Sequence, residues 1–191
     1  MSENNTELKD RSMEFRYLQT KITSSFLFVM LLVIGDQISK GSIVKNMALG
    51  EKKPIIDGFF YFHYVQNTGS AFSFLADESW GIYVLTAISV VFGIIVLCGM
   101  VFAIIHNFNK IGVCLGLIGA GALGNLVDRF MLHYVIDFLR FDFGSYTFPI
   151  FNFADCFAVI GTVLLVAYIL FAGKEFDEFW SILFKKKKKQ S

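Results

Sequence analysis

Ile111-Gly112-Val113-Cys114-Leu115-Gly116-Leu117-Ile118-Gly119-Ala120-Gly121-Ala122-Leu123-Gly124-Asn125-Leu126-Val127-Asp128-Arg129 is an apolar run that ends abruptly in polar residues. From Ile111 to Val127 it carries no charge, and a helix of about that length nearly crosses the hydrocarbon core of a bilayer at about 1.5 Å per residue. Gly112, Gly116, Ala120 and Gly124 recur every fourth residue, a small-residue stripe that lets helices approach closely, and Gly119 and Gly121 widen it. The same helix delivers Asp128 to the interior of whatever bundle it joins.

Three further stretches are as apolar: Ile22 to Ile38, Gly81 to Ile105, and Phe153 to Ala172. With 55% hydrophobic residues, 23 Phe and a mean hydropathy of +0.58 over 191 residues, the chain is too apolar for a soluble domain. The expected fold is an all-α membrane protein of four transmembrane helices. Expected boundaries are an N-terminal extension over 1–21, a membrane domain over 22–172 with long loops at 42–79 and 130–152, and a basic tail over 173–191. The first stretch follows about twenty polar residues, exceeds the usual hydrophobic core of about 7–15 residues, and lacks a small-residue cleavage site, so it reads as a retained anchor rather than a cleaved signal.

Orientation follows from lysine and arginine in short flanks. Lys9, Arg11, Arg16 and Lys21 precede the first span, Lys110 lies in the short turn near 106–110, and Lys174 with Lys185 to Lys189 follows the last span. The long loops hold Lys45, Lys52, Lys53 and Arg140 over many more residues. Both termini are therefore expected in the cytoplasm. The lysine run reads either as a contact with anionic lipid or as a solvated orientation signal. No basic groove interleaved with aromatics is present, which argues against nucleic acid. Cys98, Cys114 and Cys156 are odd in number, sit in apolar runs and lack metal-ligand spacing, so they read as packing residues.

On this topology the polar residues converge. Asp36 and Lys40 end the first span, Asn125, Asp128 and Arg129 end the third, Asn152 and Asp155 open the fourth, and Asn67 and Asp137 lie in the long loops. All fall at the outer leaflet. Ionisable groups cost about 2.5–3.5 kcal/mol at a bilayer centre on insertion scales, so their gathering at one edge asks for a function. The loops carry strand patterns too. Gly58 to Val65 is aromatic-rich, Asn67 to Ser70 reads as a turn, Ala71 to Phe74 resumes an extended pattern, and Val135 to Phe143 with Tyr146 to Phe151 frames a Gly144-Ser145 hairpin. A small extracytoplasmic sheet on the outer membrane surface is expected.

Each group also has a purely structural reading. Asp36 and Lys40 have the i, i+4 spacing of a helical ion pair. Asn152 and Asp155 have the spacing of a capping box. Arg129 can snorkel to headgroups or neutralise Asp128. His63 and His133 read as interfacial, and Cys156 as inert packing beside Asp155. The number of acids is harder to explain away, because Asp128, Asp137 and Asp155 share one wall with few bases. Two carboxylates held close in a dry place share a proton, and such a pair can activate water with one member while the other serves a carbonyl oxygen. Spacing alone leaves the choice among the three open.

Five blocks in order, Asp36-Gln37-Ile38-Ser39-Lys40, Asn67-Thr68-Gly69-Ser70-Ala71-Phe72, Gly124-Asn125-Leu126-Val127-Asp128-Arg129, Val135-Ile136-Asp137-Phe138 and Phe151-Asn152-Phe153-Ala154-Asp155, resemble the motif set of the lipoprotein signal peptidases of bacteria, the type II signal peptidases. The resemblance covers about residues 22 to 172. It implies four membrane helices with a periplasmic β-cradle, a multi-pass protein of the bacterial inner membrane, and an aspartyl endopeptidase that cuts diacylglyceryl-modified prolipoproteins before the lipidated cysteine. It further implies Asp137 and Asp155 as the catalytic pair. Asp36, Lys40, Asn67, Asn125, Asp128, Arg129 and Asn152 would support the site or bind substrate. No metal or organic cofactor is implied, and a monomer in contact with membrane lipid is expected. Two departures stand out: Ala120 interrupts a glycine pair common in the family, and Cys156 occupies a place where Ser is frequent. An ion-coupled transporter would instead need polar residues along a pathway and inverted repeats, and a non-catalytic scaffold would lose only stability with its acids.

Overall fold

A computed structural model describes residues 2–69 and 81–184. Helices α1 (Ser2–Asn46), α2 (Gly81–Ile105), α3 (Asn109–Leu132) and α4 (Phe153–Phe171) are long and apolar enough to cross a membrane, and a short α5 (Gly173–Leu183) follows. The protein is thus a mostly helical, multi-pass membrane protein carrying one small sheet. Large apolar side chains such as Leu31, Ile95 and Val163 stand fully outward on the helices, as a lipid solvent allows.

α3 is the central helix. Within its apolar window 56% of residues are buried, against 28% in α2, 17% in α1 and 11% in α4. Its small residues make this possible, but not as a single stripe. Gly112 and Gly116 admit Ile104, Met100 and Val29 from α2 and α1. Gly124 faces the other way, where an added Cβ would lie 2.8 Å from Asp36 Oδ2 and 2.9 Å from Ala154 Cβ. Gly121 meets the backbone of Ala154 and Ala158, and Gly161 of α4 reciprocates against the Cys114 carbonyl at 2.8 Å. The four-residue periodicity therefore splits between two interfaces.

α1 is much longer than the apolar stretch within it. It runs unbroken through the expected boundary at 21–22, and at about 1.5 Å per residue its 45 residues reach roughly twice the thickness of a hydrocarbon core. Lys21 donates to Asn107 Oδ1 at 3.0 Å, tying α1 to the α2–α3 turn.

The sheet has four antiparallel strands in the order β1 (Lys52–Ile56), β2 (Phe60–Asn67), β3 (Val135–Phe143), β4 (Tyr146–Thr147). β2 and β3 fall where the aromatic patterns put them, with β2 starting two residues later. β1 has no expected counterpart, since Lys52, Lys53 and Pro54 carry turn-like chemistry. Its place at the sheet edge explains why proline is tolerated there. β4 is shorter than the expected Tyr146 to Phe151, and the chain beyond it rejoins only through a Leu139–Phe151 bridge. The Ala71 to Phe74 segment and the Lys185 to Lys189 run lie outside the described residues.

The sheet sits on one end of the bundle, over buried Ile43, Met47, Tyr64, Ile136, Phe138 and Leu139. α5 lies at the opposite end, where Phe179 packs against Phe102 and Phe108 at centroid distances of 5.7 and 5.3 Å. This helix, inside the expected basic tail, was not legible as part of the packed body.

Candidate active site

Three elements bring the polar residues together. The end of α1, the end of α3 and the start of α4 meet at the sheet-bearing end of the bundle, as the topology required. α2 carries no charge over Gly81–Ile105, so no polar path continues through the bundle along that helix.

The first group is an ion-pair knot. Lys40 Nζ lies 2.8 Å from Asp36 Oδ2, 2.9 Å from Asp128 Oδ2 and 3.1 Å from Asn125 Oδ1. An ammonium has three donors, and all three are used. Asp36, Lys40 and Asp128 are each no more than 1% exposed. Such a buried cluster holds only if every charge is paired and hydrogen-bonded, and here the carboxylate oxygens accept further hydrogen bonds. Asp36 Oδ1 accepts from Ala154 N at 2.9 Å, and Asp128 Oδ2 accepts from Ile136 N at 3.0 Å. The knot therefore fixes the start of α4 and the start of β3 relative to α1 and α3. Gln37 completes it, donating to Asp128 Oδ1 at 2.9 Å and to the Gly124 carbonyl at 3.1 Å.

The second group is held by amides. Asn152 caps α4, accepting from Asp155 N at 3.0 Å while Asp155 Oδ2 accepts from Asn152 N at 3.1 Å. That is the capping box its spacing suggested. The other end of the Asn152 amide reaches away from the helix. Its Nδ2 donates to Asp137 Oδ1 at 2.7 Å and to Asn125 Oδ1 at 3.0 Å. Asn125 in turn donates to Asp155 Oδ1 at 2.7 Å. Asn152 is fully buried and Asn125 half-buried.

Asp137 reaches this place through strand register. Val65 pairs with Asp137, and Asn67 lies two residues further along β2 on the same face. Asn67 Nδ2 accordingly donates to Asp137 Oδ2 at 2.9 Å, and its Oδ1 accepts from Gly69 N at 3.0 Å. Asp137 is 3% exposed, whereas Asp155 is half-buried. Among the described residues neither forms an ion pair. Burial pushes the Asp137 carboxyl up to about 7; the Asn67 hydrogen bond opposes that rise, and the charge of nearby Asp155 adds to it.

Arg129 does not neutralise Asp128, because Lys40 does. Its Nη1 reaches Ser89 Oγ at 3.5 Å, and its buried Nε has no hydrogen-bond partner among the described residues. His63 lies on the sheet beside Arg140, 3.2 Å from its Nη1, where burial and that cation hold the imidazole below its ordinary value. His133 ends α3 in a left-handed conformation with φ +63°. Neither histidine meets the acids. Cys156 packs against the apolar cluster beneath the sheet.

Every expected site residue thus lies in one connected network, except Arg129, which stands beside it. Gln37 was not singled out, although a polar amide between Asp36 and Lys40 in an apolar helix is a legible signal. The backbone N–H of Ile136 and the Ser89 hydroxyl left no trace in the sequence.

Four membrane helices with buried ionisable groups gathered beneath a sheet define a multi-pass membrane enzyme. Comparison with known proteins narrows this. The family model described as signal peptidase (SPase) II matches residues 28–171. The chain is 38% identical over 156 residues to the lipoprotein signal peptidase of Bacillus pumilus (strain SAFR-032), covering 80% of this chain and 96% of the relative. It is 37% identical over 158 residues to that of Bacillus subtilis (strain 168), covering 80% and 97%. Two solved bacterial membrane enzymes resemble it, one with TM-score 0.65 and 29% identity over 88% of this chain and 94% of the other, the second with TM-score 0.66 and 31% identity over 78% and 93%. The chain belongs to the signal peptidase II family, and it is a protease of the membrane.

Proposed function

We propose that this protease removes the signal peptide from diacylglyceryl-modified prolipoproteins, cutting just before the lipidated cysteine, with Asp137 and Asp155 as its acid–base pair. The observation that carries the reading is Asn152, whose side chain holds Asp137 at 2.7 Å while its backbone N–H holds Asp155 at 3.1 Å. One residue thereby sets the mutual geometry of two carboxyl groups that lack a cation partner among the described residues. The raised Asp137 value supports a single proton shared by the pair near neutral pH.

With one proton on the pair, the ionised carboxylate takes a proton from water as that water attacks the scissile carbonyl carbon. The protonated carboxyl hydrogen-bonds the carbonyl oxygen as negative charge develops there. Collapse of the tetrahedral intermediate breaks the C–N bond, and the proton taken from water passes to the leaving amine. The pair ends with one proton, as it began. It titrates as a unit, so the starting proton belongs to the pair. Asn67 and Asn125 orient the outer oxygens. Asp36, Lys40 and Asp128 hold the frame, and the spare donors of Arg129 are suited to a substrate carbonyl.

Lysine and arginine distribution supports cytoplasmic termini, which would put the sheet and the pair at the outer leaflet of a bacterial inner membrane. A lipid-anchored substrate diffusing in that leaflet would bring its scissile bond to the pair.

The test is cleavage of a purified diacylglyceryl-modified prolipoprotein in mild detergent, followed by mass. Asp137→Asn and Asp155→Asn should each abolish the mass shift while unfolding at the temperature of the parent. Turnover surviving in both would transfer the role to Asp128; no cleavage by the parent would remove the substrate assignment.

A further inference from the structure

The bundle end opposite the sheet carries a groove that the protease chemistry does not use. A cavity of about 150 Å³ opens there between α1 and α3, lined by Ser24, Ser25 and Phe28 of α1, Gly112 and Gly116 of α3, and Met100 of α2. The glycines leave it open: an added Cβ at Gly116 would stand 3.4 Å from Met100 Sδ and 3.9 Å from Phe28 Cδ1. An apolar cavity of this volume has room for a benzene-sized group, or for several methylenes of an acyl chain. Ser24 precedes Asp36, and Gly116 precedes Asp128, by twelve residues, so the groove lies roughly 18 Å along the helices from the buried acids.

A polar ladder leads into this groove from the end of the bundle. Arg16, Gln19, Thr20, Thr23 and Ser24 follow one another at i, i+3, i+4, i+7 and i+8 on one face of α1, and they line a hollow that shares Ser24 with the cavity. Thr20 donates to the Arg16 carbonyl at 2.9 Å. The side chains of Arg16, Gln19, Thr23 and Ser24 make no hydrogen bond or ion pair among the described residues. Charge on this part of α1 is sided. At about 100° per residue, Lys9 falls on the face of Arg16, while Glu7, Asp10 and Glu14 all lie more than about 100° away.

We propose that this groove binds one anionic glycerophospholipid of the leaflet opposite the sheet. Its phosphate would sit at Arg16, its ester carbonyls within reach of the Thr23 and Ser24 hydroxyls, and an acyl chain over Gly112 and Gly116. From Arg16 to Ser24 the helix rises about 12 Å, which suits a lipid running from headgroup to first methylenes. Charge complementarity selects this occupant. A signal segment opens on basic residues and would meet Lys9 and Arg16 with like charge, as would the same face of a second copy packed in parallel. The site is separate from the carboxyl pair and does not rest on the substrate assigned to it.

The test is native mass spectrometry of the full chain, released into mild detergent from equal mole fractions of phosphatidylglycerol and phosphatidylcholine. One bound phosphatidylglycerol should exceed one bound phosphatidylcholine about fivefold, as a basic side chain near the surface allows. Arg16→Gln should bring that ratio below about twofold, whereas Arg11→Gln, on the far side of α1, should leave it unchanged. Ser24→Phe, which fills the cavity from its open side, should remove the retained lipid of either kind. Arg16 and Ser24 are both exposed, so neither change disturbs the packed bundle. Equal retention of the two lipids by the parent would overturn the anionic headgroup. Phosphatidylglycerol retained undiminished by both Arg16→Gln and Ser24→Phe would overturn the site. A dimer of the parent that Ser24→Phe dissociates would make the groove a contact between copies and overturn lipid as its occupant.

Discussion

The Asp36–Lys40–Asp128 knot and the Asp137–Asn152–Asp155 group are neighbours that share Asn125, yet they are held by opposite means. In the first, an ammonium neutralises two carboxylates and every donor is spent. In the second, three asparagines position the carboxyl groups without neutralising them. Neutral amides can fix geometry and still leave the proton free to move, whereas an ammonium would lock both acids in the ionised form. The contrast supports the proposed division between acids that hold the frame and acids that act on substrate, a distinction that residue type cannot make.

The sharpest way to break that comparison is to exchange losses between the two groups. Asp137→Asn should lower kcat on the order of 10²–10⁴-fold, as expected for removal of an acid–base group, with little change in Tm. Lys40→Met should do the reverse in kind, leaving two buried carboxylates uncompensated at a cost of about 3–5 kcal/mol. A large fall in Tm or loss of folded protein would be read by thermal unfolding in detergent. If Lys40→Met stayed as stable as the parent and lost only rate, the proposed frame role would fail.

A smaller effect is expected at Gly124, where an added Cβ would press on Asp36 Oδ2 and Ala154 Cβ. Overpacking of this kind costs about 1–3 kcal/mol. Gly124→Ala should therefore destabilise, while Gly41→Ala, whose added methyl meets nothing within 4 Å, should not.

Asn67→Ala probes the proposed acid–base pair more gently. Its hydrogen bond favours the ionised form of Asp137, so its loss should move the alkaline limb of the kcat/KM profile upward in pH and reduce the rate about tenfold. In the parent that limb should fall near 7, where the pair loses its shared proton.

The smallest effect is on stability against pH. The folded Asp137 value lies above that of the unfolded chain, so between about 4 and 7 the unfolded state binds fewer protons. Its contribution is full below the unfolded value and lost as pH rises through about 7. Asp137→Asn should flatten this decline in Tm. Asp142 on the sheet has the opposite sign: Arg140 and Lys52 hold its carboxyl below the ordinary range, so its contribution is lost as pH falls, and Asp142→Asn should remove that acid-side loss.

Much of this was legible in the chain. Hydropathy set the four spans because a bilayer tolerates few other segments, and the count of spans placed Asp36, Asp128 and Asp155 at one end. Aromatic runs marked β2 and β3. β1 escaped because lysine and proline obscure a strand whose only support is its neighbour. α5 escaped because the lysine run dominated the reading of its surroundings. The capping box at Asn152 and Asp155 was legible as local structure, and the resemblance offered a functional role beside it. The two readings are compatible: the Asn152 N–H that completes the capping box is the same group that holds Asp155 in the proposed pair, and the Asn152 amide nitrogen remains for Asp137.

Sequence alone determined the spans, their alternation, the gathering of acids and the family motifs, because these depend on solvent transfer, local spacing and residue identity. Only the tertiary structure decided that Lys40 rather than Arg129 takes Asp128, that Asn125 links the two groups, and that register brings Asn67 against Asp137. Those choices depend on distances of about 3 Å between residues far apart in the chain, and such distances exist only once helices and strands have packed.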